Sequence, residues 1–69
     1  MPLTMAKIGE TIFIKKIIGK DEVRRHLAEL GFLVGESVTV VSELGRNMIL
    51  SVKDSRVALD KTMANRILI

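Results

Sequence analysis

Apolar and polar positions change their spacing several times along the chain, and each change marks an element. Gly9 to Gly19 reads as a β-rich run, with Ile12, Phe13, Ile14, Ile17 and Ile18 between two glycines, the pattern of a strand between turns. Strict alternation puts Ile12 and Ile14 on one face together with Lys16. Keeping Ile17 on that face as well requires a bulge near Lys15 and Lys16. The first strand is therefore expected to bend, as strands do where a short sheet curls into a barrel. From Asp21 to Leu30 the period lengthens. Val23, Leu27 and Leu30 fall at i, i+4 and i+7, one narrow apolar stripe of a helix that packs on a sheet. Asp21 is the expected N-cap, Glu22 suits the positive end of the helix dipole, and Gly31 is the expected C-cap. Arg25 lies within i±4 reach of both Asp21 and Glu29.

Beyond the helix the β pattern returns. Phe32 to Glu36 reads as a turn, Ser37 to Glu43 as a second strand of high β-branched density, and Leu44 to Asn47 as a hairpin loop. Met48 to Val52 is the third strand. Lys53 to Ser55 turns into a fourth, Arg56 to Leu59, and a short helical turn from Asp60 to Asn65 leads to a fifth, Arg66 to Ile69. Five short strands with local turns, one interrupting helix and no parallel crossover predict a mainly β fold, a small antiparallel barrel formed as one domain by residues 1–69.

Composition narrows the picture further. With 69 residues the chain has room for one hydrophobic core. Hydrophobic residues make up 48% but aromatic ones only 3%, so that core is aliphatic. Charges interrupt every apolar run well short of the ~20 residues of a membrane span. The first residues show no signal-peptide pattern, and there is no cysteine, in keeping with a reducing compartment. A cytoplasmic location is the expectation.

The net charge of +3 is spread thinly, since Lys7, Lys15, Lys16, Lys20, Lys53 and Lys61 mostly have an acidic residue close by. That is the charge pattern of a solubilising surface. A small basic barrel that binds RNA or DNA is the rival reading. Such surfaces usually add aromatic stacking platforms, and only Phe13 and Phe32 are available here.

Chemistry is sparse. No serine, threonine or cysteine stands in a nucleophile motif beside a base, and no glycine pair has phosphate-loop spacing, so no catalytic residue and no cofactor are expected. His26, with Glu22 or Glu29 on the same helix, is the one local cluster that could hold a divalent metal, and then only adventitiously. Met48 and Met63 read as core filler.

Set end to end, several features resemble the FeoA family. They are Gly9-Glu10 with Ile14 and Ile17, the segment Leu27-Ala-Glu-Leu-Gly31-Phe-Leu-Val-Gly35, Leu44-Gly45, Val57-Ala-Leu59, and Ala64 with Ile67 and Ile69. Val34 departs from the proline usual before the second glycine, and Arg46-Asn47 from a frequent Asp-Pro pair. The resemblance implies an SH3-like barrel. It also implies a small cytosolic partner of the bacterial ferrous iron transporter FeoB, whose GTPase or channel activity it would modulate. The same module is similar to the C-terminal domain of metal-dependent repressors of the diphtheria toxin regulator type, which leaves a stand-alone module of that kind as a further alternative.

The bend also suggests where a partner would dock. If Ile12, Ile14 and Ile17 face inward, Phe13 and Ile18 face outward. Flanked by Lys15, Lys16, Arg24 and Arg25, they would form an apolar centre with a basic rim.

Overall fold

A computed structural model describes all 69 residues, 1–69. A 3-10 turn over Leu3–Met5 precedes strands β1 (Thr11–Phe13) and β2 (Lys16–Ile17) and helix α1 (Asp21–Glu29). Three longer strands follow, β3 (Ser37–Leu44), β4 (Asn47–Val52) and β5 (Ser55–Asp60), then the short helix α2 (Lys61–Ala64) and β6 (Ile67–Leu68). All pairing is antiparallel, in a four-stranded sheet of order β1-β3-β4-β5 and a two-stranded sheet of β2 and β6.

The predicted first strand is thus two strands, and the count is six rather than five. The expected bend lies where it was placed. After Phe13 the chain leaves β3, and from Lys16 it pairs with β6 instead. The physical reason is the side-chain pattern. Ile14 is buried while Phe13, Lys15 and Lys16 are exposed and Ile17 is half-buried, an order no single flat strand can present. Backbone bonds fill the gap: the Ile14 N–H donates to the Glu36 carbonyl at 3.0 Å and the Lys15 N–H to that of Leu68 at 2.8 Å.

Alternation holds cleanly in β4, where Met48, Leu50 and Val52 are buried. In β3 it holds through Val38 and Val40, after which a bulge between Val40 and Ser42 re-phases the strand. These side chains join Ile14, Leu27, Phe32, Leu59 and Ile67 in one apolar core with no buried charge. Leu3 is fully buried among them. The N-terminal segment, assigned no element from sequence, is tied down beside the C-terminal strand: Pro2 bridges Leu68, and the Ile69 N–H donates to the Met1 carbonyl at 2.7 Å.

Helix α1 lays its predicted stripe on the core, with Leu27 fully and Val23 and Leu30 partly buried. Two details of its reading are corrected. The N-cap is Lys20, which makes no side-chain cap bond, and Asp21 is the first helical residue, so Asp21 and Glu22 both act on the dipole rather than as caps. Asp21 pairs with Arg24, three residues on, and Arg25 pairs with neither Asp21 nor Glu29. The closer guanidinium at i+3 takes the carboxylate.

The C-terminus is a Schellman arrangement. Gly31 has φ +105°, its N–H donates to the Ala28 carbonyl at 3.0 Å, and the Phe32 N–H donates to that of Leu27 at 2.9 Å. The two residues joined by that last bond, Leu27 and Phe32, are both fully buried, so the cap and the core fix each other. In α2, Asp60 is the N-cap as its position suggested, accepting from the Met63 N–H at 2.9 Å.

Leu27→Ala is expected to cost about 2–5 kcal/mol, because Leu27 is fully buried in the core and its truncation opens a cavity under the helix. Leu44→Ala, at a residue 72% exposed, should change stability by less than about 0.5 kcal/mol. Urea unfolding of both variants measures the contrast.

Candidate docking surface

Six residues were expected from sequence to form one patch, and the structure sorts them around the bend between β1 and β2. Lys16, Arg24 and Arg25 line a groove of 540 Å³ between α1 and the bend. Phe13 and Lys15 line a second, of 380 Å³, that reaches Met1 and Ile69. Ile18 lines neither groove, though it is exposed as expected, as is Phe13, at 67%.

Two further residues belong to the first groove, Leu33 and Val34, the latter 65% exposed. They were read only as part of a turn. The signal that would have found them is an apolar pair in a turn next to Gly35, where polar residues are the norm. Backbone geometry holds them in place. The Gly35 N–H donates to the Ile14 carbonyl at 2.8 Å, and the Glu36 N–H to that of Leu33 at 3.0 Å, so the turn is clasped onto the bend itself. Gly35 has φ +90°, a conformation that side-chain-bearing residues rarely adopt.

The groove near α1 has an apolar floor, including Ile17, Ala28 and Phe32, beneath a cationic rim. Asp21 is the one acidic residue on that rim, and it is committed to Arg24. Lys16 and Arg25 have no carboxylate partner, so the rim is left positive. An arrangement of this kind accepts an apolar side chain while its cations steer and orient an acidic neighbour. His26 is exposed on α1, and no group of three metal-ligating side chains gathers around it or elsewhere. No helix is long and apolar enough to cross a membrane.

The strand order, the split first strand and the helix that follows it define the class: a small SH3-like barrel whose exposed features are apolar grooves with charged rims. The FeoA domain model matches residues 1–69, and the chain belongs to this family. A protein of Methanocaldococcus jannaschii provisionally named Fe(2+) transport protein A is 29% identical over 68 residues, covering 99% of this chain and 83% of that protein.

Among solved structures, an iron uptake regulatory protein (FeoA) superposes with a TM-score of 0.87 at 29% identity, covering 96% of this chain and 88% of that one. The zinc complex of FeoA from Stenotrophomonas maltophilia, described as a prokaryotic SH3 domain protein, gives 0.84 at 27% identity, with 99% and 87% covered. A manganese-dependent transcriptional repressor matches over 39% of its length with a TM-score of 0.87 at 17% identity, which bears out the likeness of fold to repressor domains.

Gly35→Ala should destabilise by about 1–2 kcal/mol through its positive φ alone, since a Cβ there would meet nothing within 4 Å. Because the residue 35 amide clasps the turn to Ile14, the variant should also loosen Leu33 and Val34, which amide hydrogen exchange at position 35 and at Glu36 would register as faster exchange.

Proposed function

We propose that this chain is a non-enzymatic accessory protein of ferrous iron uptake that docks on the cytosolic part of a FeoB-type transporter and modulates its GTPase or channel activity. Family membership supports the pathway, together with relatives named for Fe(2+) transport and iron uptake. The observation that carries the docking reading is the face around the bend. Exposed apolar side chains, Phe13 on one flank and Leu33 and Val34 on the other, sit among Lys15, Lys16, Arg24 and Arg25. In such a surface the apolar residues supply affinity and the cations supply encounter rate and orientation. The work is done from the cytoplasmic side, iron is the transporter's cargo, and no resident cofactor is required here.

The test is binding of the purified transporter, reconstituted in nanodiscs, to wild type and to folded variants. Val34→Asp should weaken binding at least tenfold and Phe13→Ala about fivefold, both with unchanged melting because these side chains are exposed. Lys15→Glu should chiefly slow association. Wild-type affinity in both apolar variants would overturn the docking face. A titration with RNA at two salt concentrations runs beside it, and tight binding that collapses as salt rises would instead support the nucleic-acid reading.

A further inference from the structure

Strand β5 is an outer strand of the four-stranded sheet. Its hydrogen-bonding phase is set by the two-residue turn before it, where Lys53 and Asp54 both have positive φ, 48° and 63°. In a hairpin closed by such a turn the flanking pair, Val52 and Ser55, exchanges both ladder bonds, and bonded pairs recur at every second residue. The sequence of bonded pairs is then Val52–Ser55, Leu50–Val57 and Met48–Leu59. The Lys61 N–H, donating to the Arg46 carbonyl at 2.9 Å, falls in the same phase one step further on.

The peptide groups of Arg56 and Ala58 therefore point away from β4, and neither appears in any turn, loop or cap bond. Arg56, Ala58 and Asp60 are exposed, whereas Val57 and Leu59 lean into the core. Arg56 has no ion-pair partner within the chain. Asp60 caps α2 through Oδ1 alone, leaving Oδ2 free.

We propose that this edge pairs with the same edge of a second copy of the chain, antiparallel, across a two-fold axis passing through Ala58. The occupant follows from self-complementarity of charge. A two-fold axis requires that if residue i faces j, then j faces i. Centred on Ala58, the register sets Arg56 of each copy opposite Asp60 of the other, two favourable cross-strand pairs. Registers centred on Arg56 or on Asp60 set like charges against one another. Centring on Val57 brings Asp60 against Asp54. At the axis itself the small Ala58 side chain lets the two backbones approach to ladder distance. Within β5 only the register centred on Ala58 sets opposite charges against one another, so the charges that discourage indiscriminate pairing of an open edge favour it.

Sedimentation velocity from micromolar to millimolar concentration tests the pairing. The expected result is a reversible monomer–dimer equilibrium. Ala58→Pro should be monomeric with little change in melting, because its N–H serves no bond in β4 and proline is tolerated on such an edge. Arg56→Glu should weaken association at least tenfold. Should the proline variant fail to fold, cysteine cross-linking decides.

The chain has no cysteine, and bonded antiparallel partners lie about 5.5 Å apart at Cα, within disulfide range. Ala58→Cys should therefore oxidise rapidly to a covalent dimer while Leu44→Cys stays monomeric. A wild type that remains monomeric, with Ala58→Cys oxidising no faster than Leu44→Cys, would overturn the proposal. If, in addition, Ala58→Pro lost transporter binding, the edge would belong to a strand of that partner. None of these outcomes depends on the docking face around the bend, so the two readings fail separately.

Discussion

The break in the first strand is the constraint on which the rest of the structure depends. A chain of 69 residues with a 3% aromatic content has to enclose its core with short aliphatic side chains, and a flat sheet cannot do so. At Ile14 and Lys15 the backbone bonds in three directions, to Glu36, to Gly35 and to Leu68. One short segment, split into β1 and β2, thereby serves the large sheet through β3 and the small one through β6. Because the bends are bonded, the corner exposes little unsatisfied backbone, and Ile14 is carried fully into the core.

The same corner creates the apolar and basic surface proposed above for docking. Turning the strand throws Phe13 and Ile18 outward, and clasping the 33–36 turn against the bend holds Leu33 and Val34 at the surface. The helix then contributes its cations from the side opposite the apolar stripe. Its C-terminal cap and the Leu27–Phe32 pair fix its position, so the groove between helix and bend rests on rigid elements rather than on a free loop. The apolar floor and basic rim proposed for docking are thus a by-product of curling so short a chain around its core.

The other edge of the four-stranded sheet carries a different consequence of the same architecture. With six short strands divided between two sheets, β5 keeps one row of peptide groups with no neighbour. Its outward residues are Arg56, Ala58 and Asp60, a spacing that reads the same in sign-reversed form from either end. The two faces are served by different elements, which allows one molecule to engage a partner through the corner and a copy of itself through the edge.

By itself the sequence determined the helix, the three longer strands and the corner. The 3.6-residue spacing of Val23, Leu27 and Leu30, the alternation of Met48, Leu50 and Val52, and the extra residue between Ile14 and Ile17 are local periodicities. They encode which face is buried whatever the neighbours are. The exposure of Phe13 and Ile18 followed from the same parity argument. What the tertiary structure decided were matters of pairing over long separations. Whether the bent strand remained one strand or became two depended on Glu36 and Leu68. The burial of Leu3 depended on the C-terminal strand, and the division of the predicted patch between two grooves depended on where the helix settled. The choice of Arg24 over Arg25 as the partner of Asp21 was a contest between i+3 and i+4 geometry separated by a few tenths of a kcal/mol. Periodicity is silent on such contests, because it specifies which way a side chain faces and not what it will meet there.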